Sequence, residues 1–239
     1  MNIRTKASFT YLLLIHLLLA LVLWKSDFID KVRVELGVSS SETLSFYEQM
    51  TLYHQRMDSS VPEGAVIFIG DSITQALATP AITQSGINFG IGTDTTLGVV
   101  KRLPLYQSIE RSQAVVLSIG VNDIYQQVGR LDTRVNYKNI LDSIPSDTPV
   151  IATSVLPIGT VAESKHFTNA EIISLNSDIQ AFTNEYHNVH YLAVSEKLKD
   201  DAGFLKPELH IGDGVHLSDK GYRILIEQLN ESLSALGVE

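Results

Sequence analysis

The sequence contains no cysteine and few basic side chains, and each shortage excludes a class of protein. Without cysteine, the 239 residues cannot form disulfides, zinc–thiolate sites, iron–sulfur clusters or a thiol nucleophile. Past residue 25 the chain holds 15 basic and 27 acidic side chains, a formal charge of −12. Such an acidic body argues against binding to nucleic acid, whose phosphates attract clustered lysine and arginine. Hydrophobic residues make up 44% of the chain, which excludes a disordered protein and indicates one globular domain.

A strongly apolar segment lies near the start of the chain. It covers residues 9–24 (FTYLLLIHLLLALVLW), and no acidic side chain occurs in the first 25 positions. The segment lacks the small-residue site at which a signal peptide is cleaved. Trp24 beside Lys25 is typical of an anchor at a membrane interface. The sequence therefore predicts an uncleaved membrane anchor through residues 9–24, with a cleaved signal peptide and secretion as the alternative.

The rest of the chain divides into a tether and one domain. Residues 26–41 are mixed polar sequence that ends in Gly-Val-Ser-Ser-Ser, which is typical of a linker. We therefore predict an anchor or signal segment over residues 1–25, a tether over 26–41 and a folded domain over 42–239. The basic start of the chain favours a cytoplasmic N-terminus, which would hold the domain outside the cytoplasm, in the periplasm or the extracellular space.

Strand-like and helix-like stretches alternate through this domain. The strand-like runs are short, apolar and rich in β-branched residues: 65–69, 87–89, 114–119, 150–155 and 189–193. Helix-like stretches surround them, near residues 42–57, 73–77, 95–106, 133–144, 169–186 and 218–236. The alternation predicts an α/β fold in which helices cover both faces of a parallel sheet of about five strands. Ligands bind to such sheets at the carboxyl ends of the strands.

A candidate nucleophile and base lie in loops at that edge. Ser72 follows a buried strand and opens a helix, and a serine hydroxyl becomes a nucleophile when a base takes its proton. His216 is the candidate base, and Asp213 lies three residues before it, a spacing that lets the carboxylate reach the ring Nδ1. Taken singly, these residues are better explained by helix capping and a solvated histidine. We expect Asp71 and Asp123 to brace their loops.

Acyl transfer to serine also needs N–H donors for the negative charge that develops on the substrate oxygen. Gly90 offers a backbone N–H and Asn122 a side-chain N–H, each just after a strand. Alone, Gly90 is also explained by tight turning and Asn122 by a loop-stabilising hydrogen bond. The joint occurrence of these residues at strand ends points to a hydrolytic site, with His210 as a candidate substrate contact.

Four short motifs resemble, in order, the sequence blocks of the SGNH or GDSL hydrolases. The motifs are Gly70-Asp71-Ser72-Ile73, Asn88-Phe89-Gly90, Gly120-Val121-Asn122-Asp123 and Asp213-Gly214-Val215-His216. In the family these blocks carry, in the same order, the nucleophile, the oxyanion glycine, the oxyanion asparagine and the acid–base pair. Residues 88–103 are especially similar to the catalytic subunits of platelet-activating-factor acetylhydrolase and to bacterial GDSL-type esterases. Ile73 replaces the usual leucine, and Thr93 stands where those relatives often have a third glycine.

The resemblance implies a flavodoxin-like three-layer α/β/α fold and a serine esterase that uses no metal and no cofactor. It implies Ser72 as nucleophile, His216 as base and then acid, and Asp213 as the partner that orients it. The N–H groups of Ser72 and Gly90 and the amide of Asn122 would form the oxyanion hole. The resemblance predicts a small acyl ester as substrate and favours an acetyl group carried by a glycan or a lipid.

Other activities stay open from the sequence alone. A lysophospholipase or thioesterase would act on longer acyl chains, and an acyltransferase would use the same covalent intermediate. A non-catalytic binding module on this fold is a further alternative. The sequence leaves the oligomeric state undetermined.

Overall fold

The computed structural model of the protein describes residues 11–21 and 44–238. The chain divides into two compact units, Met1–Ser45 and Phe46–Glu239. Residues 11–21 are helical. Within the described ranges, no helix is long and apolar enough to cross a membrane. Both ends of the apolar segment and the tether lie outside the described residues, so the membrane anchor stays a prediction.

The second unit is built on a parallel sheet of five strands. Its strand order is β2-β1-β3-β4-β5, and every neighbouring pair is parallel. This arrangement confirms the predicted α/β fold and has the flavodoxin-like order. The strands are β1 (Val66–Gly70), β2 (Gly86–Gly90), β3 (Ala114–Ser118), β4 (Val150–Thr153) and β5 (Val189–Leu192).

Helices connect the strands and cover both faces of the sheet. They are α1 (Phe46–Asp58), α2 (Ser72–Gln75), α3 (Thr96–Arg102), α4 (Val121–Tyr125), α5 (Arg130–Asp142), α6 (Asn169–Ala181), α7 (Ser195–Leu198) and α8 (Asp219–Ala235). Short 3-10 turns lie at Thr79–Ala81, Leu103–Leu105, Gln107–Arg111, Phe182–Asn184 and Pro207–Leu209. The sequence did not predict α4 and α7, which are only five and four residues long.

Alternation along the strands supplies two separate cores. In β1, Ile67 and Ile69 face one core while Val66 and Phe68 face the other, and all four are fully buried. Helices α3, α5 and α6 close the first core, and α8 closes the second. Because the central strands are apolar on both faces, the polar chemistry of this unit is confined to their ends.

His54 of α1 is buried against the first core. Its ring centroid lies 5.1 Å from that of Phe89 and 6.2 Å from that of Tyr106. Among the described residues, its Nδ1 atom has no hydrogen-bond partner. Burial, and second the positive charge of Arg102, lowers the pKa of His54 to about 4.

We expect His54 to make the folded protein sensitive to acid. The native state holds the ring neutral, whereas the unfolded chain protonates it below about pH 6.5. The unfolded state therefore binds more protons between about pH 6.5 and 4, so native stability falls as the pH falls through that window. Between pH 7 and pH 4, the wild type should lose about 3 kcal/mol more unfolding free energy than His54→Leu, as measured by urea denaturation. The exposed His190→Leu is the control, and a wild-type-to-variant difference independent of pH would contradict the expectation.

Candidate active site

The nucleophile candidate stands where β1 passes into α2. Asp71 caps α2 by accepting a hydrogen bond from the Ile73 N–H at 3.0 Å, which leaves Ser72 as the first helical residue. Gly70 allows the strand to end there, because a Cβ at this position would lie 2.2 Å from the Ser118 carbonyl oxygen and from Thr74 Oγ1. Only glycine fits this close approach. Ser72 itself is half-buried.

A continuous hydrogen-bond chain joins the three residues predicted as nucleophile, base and orienting acid. Ser72 Oγ lies 2.9 Å from His216 Nε2, and His216 Nδ1 lies 2.6 Å from Asp213 Oδ2. With the proton on Nδ1 donated to the carboxylate, Nε2 is the acceptor for the serine hydroxyl. This arrangement lets the imidazole take the proton of Ser72.

The carboxylate of Asp213 is held by its own loop. Its Oδ1 accepts hydrogen bonds from the N–H groups of Val215 at 2.9 Å and His216 at 3.0 Å. Partial burial alone would raise the pKa of Asp213, but these N–H groups and the His216 ring outweigh it and lower the pKa. The group is therefore ionised at neutral pH and suited to stabilise a protonated imidazole.

The two predicted oxyanion donors differ in their surroundings. Asn122 Nδ2 donates to the Asp94 carbonyl at 2.9 Å, which uses one of its two N–H bonds. Gly90 donates its N–H to Asn88 Oδ1 at 2.9 Å, and a Cβ there would meet the Gln75 backbone nitrogen at 2.3 Å. The N–H predicted to bind the oxyanion is therefore engaged by the Asn88 side chain, in a turn that packs against α2.

Gly92, two residues further on, lies close to the nucleophile instead. A Cβ at Gly92 would be 3.9 Å from the Cβ of Ser72, and its N–H donates to Gln75 Oε1 at 2.7 Å. The adjoining Thr93 has a φ of 66°, which costs a β-branched residue about 1–3 kcal/mol. The glycine that relatives often have at that position would adopt this conformation without strain.

A buried ion pair stabilises the loops that follow β1 and β2. Arg102 Nε donates to Asp94 Oδ2 at 2.8 Å, and both side chains are 1% exposed. The guanidinium also donates to the carbonyls of Phe89 at 2.7 Å and Gly70 at 3.2 Å, so it links the ends of β1 and β2. Burial raises the pKa of Asp94 to about 6, although Arg102 opposes the increase.

The remaining acids of these loops brace the backbone, as the sequence predicts. Asp123 accepts hydrogen bonds from the N–H and the hydroxyl of Thr96. Burial raises the pKa of Asp71 to about 7, and its structural contact is the cap of α2. In the described part of the chain, no group of three or more histidine, aspartate or glutamate side chains is placed to hold a metal ion.

Comparison with known proteins identifies the family to which these features belong. A sequence profile of the GDSL-like lipase/acylhydrolase family matches residues 68–224, which include every residue of the hydrogen-bond chain. The chain belongs to this family. It is accordingly a carboxylic ester hydrolase. None of the curated proteins matches the chain.

Solved structures share the architecture of this GDSL-like hydrolase. A Streptococcus pneumonia protein whose description refers to platelet activating factor is 27% identical with a TM-score of 0.73, and the match covers 79% of this chain and 92% of that one. A GDSL-like lipase from Bacteroides thetaiotaomicron is 20% identical with a TM-score of 0.66, covering 80% and 100%. An acetylxylan esterase from Geobacillus stearothermophilus is 18% identical with a TM-score of 0.58, covering 74% and 96%.

Sequence reasoning on this hydrolase missed two features of the site. The position of Gly92 beside Ser72 was not predicted, because Gly90 and Gly92 lie together at the end of β2 and the sequence does not show which of them approaches the nucleophile. Arg102 looked like an ordinary helical residue, since nothing in a single sequence shows that its guanidinium is buried. The charged pair Asp94 and Arg102, eight residues apart at the two ends of a helix, was the available signal.

Proposed function

We propose that this hydrolase cleaves small O-acyl esters, acetyl esters foremost, through an acyl-enzyme on Ser72. The observation that carries the proposal is the unbroken hydrogen-bond chain from Ser72 Oγ through the His216 ring to the Asp213 carboxylate. A serine in this setting can transfer its proton as it attacks, which is what an acyl-enzyme mechanism requires.

In each half-reaction the imidazole of His216 first accepts a proton and then donates it. Ser72 Oγ attacks the acyl carbon and its proton passes to His216 Nε2, while Asp213 stabilises the imidazolium through Nδ1. The tetrahedral intermediate collapses, and the departing alkoxide takes the proton from Nε2. A water molecule then loses a proton to Nε2 as it attacks the acyl-enzyme, and Ser72 recovers its proton as the carboxylic acid leaves.

Three N–H groups are suited to stabilise the oxyanion. The N–H of Ser72 lies in the first turn of α2, where backbone donors have no helical partner. Asn122 brings its second amide N–H, and we place Gly92 in the role predicted for Gly90. Because the Gly92 N–H donates to Gln75 Oε1 at 2.7 Å, a substrate oxygen would replace that side-chain acceptor.

Support for a short acyl group comes from two directions. Phe46 Cε1 would lie 3.7 Å from a Cβ at Gly92, so an aromatic ring borders the space beside the oxyanion donors. The motif resemblance to platelet-activating-factor acetylhydrolases and the structural similarity to an acetylxylan esterase supply the acetyl preference by analogy. With the predicted anchor, the substrate would be a glycan or lipid ester outside the cytoplasm.

The test combines a chain-length series with covalent trapping. Full-length protein in detergent is assayed on p-nitrophenyl acetate, butyrate, octanoate and palmitate, and a phosphonylating reagent labels the active serine for peptide mass analysis. We expect kcat/KM to be highest on acetate and the added mass to lie on the peptide that contains Ser72. A maximum on palmitate would replace the proposal with a long-chain lipase or thioesterase, and labelling of another serine would overturn the assigned nucleophile.

Asn122→Ala is expected to lower kcat while leaving KM nearly unchanged. Loss of one oxyanion donor typically removes about 2.7–4 kcal/mol of transition-state stabilisation, a decrease of about 10²–10³ in kcat. Steady-state kinetics on p-nitrophenyl acetate measure the effect, and Asn139→Ala, an exposed asparagine of α5, is the matched control. Near-normal kcat in a variant whose melting temperature is unchanged would remove Asn122 from the oxyanion hole.

A further inference from the structure

The loop that carries Asp213 and His216 has little burial to hold it in place. The two side chains are 40% and 44% exposed, so packing does not fix their positions. Two residues of the loop, Gly212 and Gly214, have φ values of 105° and 76°, in the left-handed region. The loop therefore needs specific hydrogen bonds to keep its shape.

His210 supplies an acceptor at the centre of this loop. Its Nδ1 accepts hydrogen bonds from the N–H of Gly212 at 2.9 Å and from the N–H of Gly214 at 3.1 Å. These two N–H groups lie on either side of Asp213. Because Nδ1 uses its lone pair as an acceptor, this arrangement places the ring proton on Nε2.

His210 is itself anchored where the loop closes. It pairs with Leu217 in an antiparallel bridge, and the Ile211 N–H donates to the His216 carbonyl at 3.0 Å. On the other side, Gly159 donates its N–H to the Gly214 carbonyl at 2.7 Å, and a Cβ at Gly159 would lie 3.1 Å from His210 Nε2. The imidazole is thus held between the closed loop and the backbone at Gly159.

We propose that His210 is a positioning residue for the catalytic acid and base. Its Nδ1 fixes the N–H groups on both sides of Asp213 and so keeps the carboxylate directed at His216 Nδ1. This inference rests on the proposed function of Ser72, His216 and Asp213. It differs from the sequence-based suggestion that His210 contacts substrate, since the hydrogen bonds of its Nδ1 are made within the loop.

The test compares a variant that retains the acceptor with one that lacks it. Asn Oδ1 occupies nearly the place of His Nδ1, so we expect His210→Asn to keep kcat within about threefold of wild type. His210→Leu offers no acceptor, and a misplacement of the base should lower kcat by about 10²-fold with KM unchanged. The exposed His187→Leu, at the opposite end of the sheet, is the matched control.

A spectroscopic measurement reads the same geometry without turnover. Proton NMR of the full chain in detergent should show a downfield resonance for the proton between His216 Nδ1 and Asp213, retained in His210→Asn and lost in His210→Leu. Equal losses of kcat and resonance in both variants, or an unchanged His210→Leu, would overturn the proposal. A change in KM alone would assign His210 to substrate binding. Absence of turnover in wild type, with the resonance still dependent on the acceptor, would reject the esterase proposal and not the positioning role.

Discussion

Ser72→Ala is expected to lower kcat on p-nitrophenyl acetate by about 10⁴- to 10⁶-fold, and His216→Ala by a comparable factor. Neither residue replaces the other, because attack needs both the oxygen of Ser72 and the base 2.9 Å away that accepts its proton. The residual rate would come from the oxyanion donors and from substrate binding. Ser177→Ala, an exposed serine of α6, is the matched control and should retain wild-type kcat.

The double variant Ser72→Ala/His216→Ala shows whether the two residues act together in one step or contribute independently to kcat. Since the two side chains act in one step, removing the second should cost almost nothing once the first is gone. Single-turnover kinetics on the three variants measure this. Multiplicative losses in the double variant would show that His216 acts apart from Ser72, and so contradict the mechanism.

Arg102→Met is expected to lower the free energy of unfolding by about 3–5 kcal/mol, because it leaves Asp94 buried without its partner. Three backbone or side-chain acceptors lose their donors at once, at Asp94, Phe89 and Gly70. For a domain of this size the melting temperature should fall by about 6–20 °C. Differential scanning calorimetry of the full chain measures the change.

Two further variants establish the cause of that loss. Arg223→Met removes an exposed arginine whose partner, Asp219, is equally exposed, and should shift the melting temperature little. Arg102→Met/Asp94→Leu removes both charges and should recover part of the stability, since an apolar pair avoids an unpaired buried carboxylate. A double variant less stable than Arg102→Met would show that the arginine acts through the strand carbonyls and not through Asp94.

The fold was accessible from the sequence because its signal is local. The strand-like run 114–119 corresponds to β3 at Ala114–Ser118, and the run 150–155 to β4 at Val150–Thr153, since apolar residues on both faces are typical of buried parallel strands. The helix predicted over 169–186 ends earlier, at Ala181, where a 3-10 turn follows. Helix ends depend on tertiary contacts, which the period of the sequence does not record.

The candidate site was only partly accessible, for a different reason. Ser72, Asp213 and His216 belong to motifs whose residue types indicate a nucleophile, an acid and a base. The structure brings the three together. Which of Gly90 and Gly92 lies beside Ser72 depends on how their loop packs against α2, which no local sequence pattern records. The burial of Arg102 is likewise a property of packing and not of any local pattern.

The Arg102 network ties the nucleophile strand to its neighbour, whereas the exposed loop of Asp213 and His216 is held mainly by its own hydrogen bonds. The nucleophile therefore lies on a rigidly held strand end, and the acid and base lie on a loop that is held less firmly. Regions with few buried contacts open at a lower free energy than the whole fold. Mild heat should therefore silence the enzyme reversibly while circular dichroism still reports an intact sheet, and cooling should restore it without refolding.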